Sequence, residues 1–306
     1  MAGIGSNIQA SDYNTIRTKV IEVLGSGIGP LGYGQTLIQS QQVVSSNVVT
    51  AEHWQRLRLD LANVRIHQTG IELSKLGLSE VVSGDVIKYR NNEPNFEYLN
   101  VIEAARLDPF RVAQSRTVLS SKVSETYSQE WSTIASAELT VSFNNADEAR
   151  YFFNSGGKIL FSSTRSGGSI TQQNSVWTSL LSSVGNFAFG GNTPNFVNFY
   201  RLTDEPQVVL EVGPGAVYAN NFYIIRARAN VEDNTNGGAT EIIFDIEWVD
   251  GYEDPGPPPP GDLVNGVLSL SISEVKASGP LVSAQAGQVF TVEGPSDYSL
   301  SPISAS

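Results

Sequence analysis

Three glycines, Gly27, Gly29 and Gly32, stand at the G-x-G-x-x-G spacing that lets a backbone approach a pyrophosphate. That chemistry needs a strand before the glycines and a helix N-terminus after them, so that unpaired N–H groups face the phosphate. Here the glycines follow a helical pattern, enclose Pro30 and open no helix, so their expected role is a tight chain reversal. Neither the Gly-Lys-Ser/Thr of a P-loop nor a G-x-S-x-G nucleophile elbow occurs in the chain. Glu232, Asn234, Asn236 and Gly237 match the first half of a calcium loop, but the position that should supply a bidentate glutamate is Ile243, so a turn is expected instead. The two histidines, His53 and His67, fall about four helical turns apart on one predicted helix, too far to share a metal or a proton. His53 is expected on the first-turn surface. His67, in the last turn where the helix dipole favours a cation, is expected to cap the helix rather than to catalyse. Tyr33, Tyr200, Tyr218, Tyr252 and Trp177 could stack on sugars, but scattered aromatics more often serve a core or a subunit contact. Two carboxylates that cleave a glycosidic bond need only be neighbours in the fold, so their spacing along the chain does not reveal such a pair.

Composition narrows the remaining chemistry. With no cysteine, disulfides, thiolate catalysis and zinc–thiolate sites drop out together. Against 19 basic residues stand 31 acidic ones, and a net charge of −12 argues against chain-wide attraction to nucleic acid or to an anionic membrane surface. No stretch approaches the roughly 20 apolar residues of a membrane span, and the start MAGIGSNIQA lacks the pattern of a signal peptide. Only 16% of residues are charged, which suits surfaces destined for burial against partners.

The elements that must position these residues are α and β in succession. Ser11 is expected to cap a helix in which Tyr13, Ile16, Val20, Val23 and Leu24 share one face before Gly25. Thr50 is expected to cap a second, with Trp54, Leu57, Leu61 and Val64 on one face and Gly70 at its end. Their matching aromatic starts predict that the two helices pack together. Between them, a Gly-rich loop leads into a polar stretch expected to be a short strand or an extended segment. In residues 71–112 a further helix is expected over EYLNVIEAARL, ending before Asp108-Pro109. The period then changes to two. Ala137, Leu139, Val141 and Phe143 alternate with polar neighbours; a helix follows from Asn145, a strand at KILFSST, a helix at SVWTSLLSSVGNF and a strand at QVVLEV.

In FYIIRARANVEDNTNGGATEIIFDIEWV, two alternating runs flank Asn-Gly-Gly, which predicts a β-hairpin. Tyr223, Ile225 and Ala227 would face inward with Ile242, Phe244, Ile246 and Trp248, leaving Arg226 and Arg228 opposite Asp245 and Glu247. The run EDPGPPPPG reads as a stiff polyproline II spacer. Beyond it, GVLSLSISEV alternates and the chain drifts into Ser, Gly and Pro, as in an arm that orders on a partner. The expected fold is therefore α+β, in four parts: a helical module with the Gly-rich loop over 1–72, a central α+β domain over 73–253, a Pro-rich spacer over 254–261 and an extended arm over 262–306.

ASDYNTIRTKVIEVLGSGIGPLGYGQ, followed by TAEHWQRLRLDLANVRIHQTG, resembles the N-terminal module of virion structural proteins from tailed phages of cyanobacteria and other marine bacteria. NADEARYFFNSGGKILFSSTRSGG and SVWTSLLSSVGNFAFGG resemble the central region of the same proteins, so the resemblance spans about half of residues 1–250. It implies a non-enzymatic virion component in the neck, tail, baseplate or fibres, or decorating the capsid. Such a component would be assembled in the host cytoplasm, as a homo-oligomer in contact with other virion proteins. It implies no catalytic residues to carry over, and from the residues themselves no metal and no cofactor are expected. The rival expectations are a fibre-tip protein recognising host surface glycans and a polysaccharide depolymerase. Against the last, no repeat of the kind that builds long β-helices is visible.

Overall fold

The structure is a computed structural model that describes residues 9–32, 34, 39–45, 47–69, 117–191, 197–215, 218–252, 263–277 and 292–305. Two compact units share the chain discontinuously. One gathers Met1–Val118, Arg150–Gly156 and Lys276–Glu293; the other gathers Leu119–Ala149, Gly157–Val275 and Gly294–Ser306. Helices and sheets together make the fold α+β, as expected.

In the first unit, helix α1 (Ala10–Leu24) buries Ala10 and the five residues its period predicts, Tyr13, Ile16, Val20, Val23 and Leu24. Its cap lies earlier than expected. Gln9 is the cap residue, and its N–H donates to Asp12 Oδ2 at 3.2 Å, so a first-turn carboxylate takes the role expected of Ser11. Helix α2 (Ala51–Thr69) begins as expected at Thr50, whose Oγ1 accepts from the His53 N–H at 3.2 Å while its own N–H donates to His53 Nδ1 at 3.2 Å. Trp54, Leu57, Leu61 and Val64 are buried. The Tyr13 and Trp54 rings lie 6.2 Å apart, so the helices do pack through their aromatic starts. Of the two forms expected before α2, the extended one is observed. Asn14 grips Val43 through both backbone groups, and Asp60 accepts from the N–H groups of Gln39 and Ser40, at 2.8 Å each. The helix expected over EYLNVIEAARL, the Gly70 stop and the proline run lie outside the described residues.

The second unit holds two sheets. Strands β1 (Thr117–Tyr127), β3 (Lys158–Ser166), β4 (Asn186–Gly190) and β8 (Val267–Ala277) form one, in the order β1-β8-β3-β4. Strands β2 (Ile134–Ser142), β5 (Gln207–Val212), β6 (Asn221–Ala229), β7 (Glu241–Asp250) and β10 (Ser304–Ala305) form the other, in the order β10-β2-β7-β6-β5, with β9 (Asp297–Leu300) also pairing β2. Helix α3 (Ala146–Asn154) follows β2, and the Asn145 side chain accepts its Glu148 N–H at 2.9 Å. Helix α4 (Gln172–Val184) follows β3 and is capped by Thr171.

The sheets face each other through aromatic side chains. Phe161 and Phe189 from the first meet Phe244 from the second edge-on, at centroid distances of 4.9 and 5.1 Å, and Trp248 donates its indole N–H to Ser163 at 2.9 Å. In the β6–β7 pair, Tyr223, Ile225, Ala227, Ile242, Phe244, Ile246 and Trp248 are all buried, which is the predicted inward set. The predicted β-hairpin is present, and Gly237 of its Asn-Gly-Gly takes a positive φ. Residues 230–240 form its loop, and Asn234 is drawn inward, donating to the Phe199 carbonyl at 2.7 Å and accepting from the Ala239 N–H at 2.8 Å.

Of the segment expected to be a partner-seeking arm, the strands among the described residues pair with the chain's own sheets. Residues Val267–Val275 pair with β3 in register from Val267↔Ser166 to Val275↔Lys158, and β9 and β10 pair with β2. The physical reason lies in the alternation itself: Leu268, Leu270 and Ile272 bury completely or nearly so between the sheets, an apolar stripe that the chain's own core accepts.

Candidate functional site

Most of the residues with chemical promise turn out to hold the fold. Gly27, Gly29 and Gly32 all take positive φ, and an added Cβ at Gly32 would lie 2.4 Å from the Gly25 carbonyl oxygen. The loop they form is clasped from α3: Asn154, fully buried, donates to the carbonyls of Gly29 and Gly32 at 3.2 and 2.8 Å, and Arg150 donates to the Ser26 carbonyl. These glycine carbonyls face a side-chain donor, and the loop is the chain reversal that its context predicts. His53 is engaged in the α2 cap. His67 lies on α2, and its side chain is outside the described residues, as is Tyr33. Trp177 and Tyr200 are buried in the core; Tyr218 is buried against Tyr252 with rings 4.5 Å apart. Among the described residues no group of three His, Asp or Glu is placed to hold a metal ion, and no helix is long and apolar enough to cross a membrane.

Strand β8 is pinned at both ends by polar clusters that the sequence reading missed. At its entry, Asn265 and Asn174 exchange hydrogen bonds, Asn174 Nδ2 to Asn265 Oδ1 at 3.0 Å and Asn265 N–H to Asn174 Oδ1 at 3.1 Å, while the Ser169 N–H adds a third at 2.8 Å. Arg165, 7% exposed, donates to the carbonyls of Asn174 and Asn265 and to the Thr178 hydroxyl, and burial pulls its pKa down.

At the far end, Glu274 is fully buried. It accepts from Lys122 Nζ at 2.9 Å, from the Tyr298 hydroxyl at 2.8 Å and from the Ser120 hydroxyl at 3.3 Å. Lys122 also lies over the Tyr298 ring, 5.6 Å from its centroid. Burial, reinforced by the adjacent Glu274 charge, pushes the Tyr298 hydroxyl far above its ordinary value, so it stays a proton donor. Gly294 passes so close that a Cβ there would meet Glu274 Oε2 at 2.8 Å. Three strands, β1, β8 and β9, therefore converge on one carboxylate. A signal was available: Glu274 shares its parity with Leu268, Leu270 and Ile272, which places a carboxylate on the buried face, where it must find a partner.

Two features remain open to the outside. The face of the six-stranded sheet turned away from the core carries a groove of about 510 Å³, lined by Glu138, Arg226, Asp245 and Glu247 beside Pro206 and Ile246, with Ser301 and Ser304 at one side. The expected charge pairing is present there, with Arg226–Glu247 at 2.5 Å and Arg228–Asp245 at 2.8 Å, extended by Arg228–Glu138 at 3.2 Å. The second feature is the outer edge of β1. This eleven-residue strand contains no proline and no glycine, and among the described residues only β8 pairs with it. Leu119 on it is 64% exposed. Its sole cation, Lys122, is turned inward to Glu274, so the usual charged guard of a free edge is engaged elsewhere.

No protein-family model, no curated protein and no solved structure matches this chain.

Proposed function

We propose that this chain is a non-enzymatic structural subunit of a tailed-phage particle, made in the host cytoplasm and built into the neck, tail, baseplate or fibres. It works by binding copies of itself and neighbouring virion proteins. The observation that carries this reading is the edge of β1, an eleven-residue strand with which only β8 pairs among the described residues, so that a row of backbone donors and acceptors can extend the sheet into another chain. Three further points support it: the resemblance of the opening and central segments to phage virion proteins, the low fraction of charged residues, and the structural use of Asn154, Asp60, Arg165 and Glu274, which hold strands and loops together. Mass spectrometry and electron cryo-microscopy of purified particles test the proposal. The expected result is the chain at fixed stoichiometry in a symmetric ring or fibre; its absence from particles overturns the reading.

The outer-face groove favours a second reading, recognition of a host surface glycan at a fibre tip. Paired Arg and carboxylate groups with two serine hydroxyls are suited to sugar hydroxyls. Binding of the isolated protein to host cells, lost on Arg226→Ala, would support it, and equal binding by both proteins would remove it.

A further inference from the structure

We propose that β1 is a homotypic interface: two copies of this chain pair antiparallel along β1 with Val123 on the two-fold axis, joining two four-stranded sheets into one of eight strands. The inference rests on the reading of the chain as a self-assembling subunit and names the surface and the partner.

The register follows from parity. In β8 the buried residues are Leu268, Leu270, Ile272 and Glu274, and the β1 residues that reach Glu274 are Ser120 and Lys122. Along β1, Val123, Glu125 and Tyr127 are half-buried while Lys122, Ser124 and Thr126 are exposed, and alternation puts Leu119, Ser121, Val123, Glu125 and Tyr127 on one face. A two-fold axis perpendicular to a continuous sheet pairs only residues of equal parity, because opposed side chains must point to the same face.

Centring the axis on Val123 brings Leu119 opposite Tyr127 of the second copy, Val123 opposite Val123, and Tyr127 opposite Leu119. This matches the exposed Leu119 to an aromatic ring and the half-buried Val123 to itself. The same register sets Ser121 opposite Glu125 on that face, with Ser120 opposite Thr126 and Lys122 opposite Ser124 on the other. No like charges meet. The contact is isologous, so it closes at two copies and leaves the remaining surface free for other virion proteins.

The chain contains no cysteine, so a single introduced one reports its own neighbours. Under mild oxidation of the full-length protein, Val123→Cys should form a disulfide-linked dimer much faster than Val208→Cys, a 42%-exposed control on the edge strand β5. Mixed Ser121→Cys and Glu125→Cys proteins should cross-link to each other faster than either does to itself. In sedimentation velocity the unmodified chain should double its mass at protein concentrations on the order of 100 µM. Val123→Lys places two ammonium groups across the axis and should raise the dimer dissociation constant at least roughly tenfold, with an unchanged circular dichroism spectrum. A monomeric unmodified chain, or Val123→Cys cross-linking no faster than Val208→Cys, overturns the proposal. The particle reading fails separately: a chain that dimerises through Val123 but is missing from purified particles leaves this pairing standing and removes the virion assignment.

Discussion

Removing the Lys122 ammonium should destabilise the fold strongly, and only while Glu274 carries its charge. The Glu274 side chain is 1% exposed and that of Lys122 27%, with Nζ 2.9 Å from Oε1. Breaking a buried pair by deleting one partner costs about 3–5 kcal/mol, chiefly because the other charge is left uncompensated. Since Lys122 is partly solvated, we expect Lys122→Met to cost about 3 kcal/mol, at the low end of that range. Glu274→Gln keeps the shape and an acceptor for the Tyr298 hydroxyl and frees Lys122 to turn to water, so it should cost about 1–2 kcal/mol. In the Glu274→Gln background there is no stranded charge, and Lys122→Met should add little. The cycle should therefore show a coupling energy of about 3 kcal/mol. Urea unfolding at neutral pH, with slopes compared across the unmodified chain, the two single variants and the double variant, measures it. A coupling below about 0.5 kcal/mol would refute the view that one buried carboxylate ties β1, β8 and β9 together.

Three other outcomes follow from the same geometry. Asn154→Ala removes both donors to the Gly29 and Gly32 carbonyls, and should cost about 1–3 kcal/mol and speed protease cleavage near residues 25–34. Tyr298 and Tyr223 both have hydroxyls pushed up by burial, so above the ordinary tyrosine value of 10.0 the unfolded chain releases protons that the folded chain keeps. Stability should thus fall as pH rises through and beyond that value, and Tyr298→Phe should flatten the decline in a pH series of thermal melts. Phe244→Ala empties the meeting point of Phe161 and Phe189 between the sheets and should cost about 3–5 kcal/mol by denaturant unfolding, whereas Arg228→Ala on the outer face should cost less than about 1 kcal/mol.

What could be read from the sequence was whatever depends on neighbours close along the chain. The faces of α1 and α2 follow from helical period, and the inward set of β6 and β7 follows from alternation with charges on the other side. The glycine loop follows α1 and opens no helix among the described residues, as its flanking pattern predicts. The pairing of β8, β9 and β10 could not be read in the same way. Their partners lie on β3 and β2, far earlier in the chain, and a Ser-rich alternating strand has no local mark that says whose sheet it completes. The β6–β7 hairpin was legible, but not the anchoring of its loop by Asn234, which donates to the Phe199 carbonyl far earlier in the chain. The Glu274 cluster needed residues from three distant strands, and only its parity hinted at it.

The late arrival of β8 also sets the order of events during synthesis. Strand β3 ends at Ser166 and β8 begins at Val267, so at about 5–20 residues per second the gap between them on the ribosome lasts about 5–20 s. Throughout that interval β3 lacks one of its two neighbours and β1 lacks the strand it pairs with, while Ser162, Ser163, Thr164 and Ser166 supply a hydroxyl-rich edge. Both sheets are completed by strands that lie beyond residue 266, since β9 and β10 close onto β2 as β8 enters between β1 and β3. A chain whose translation stops before β8 can finish neither sheet. The topology therefore makes completion of both sheets wait on translation through β8, β9 and β10.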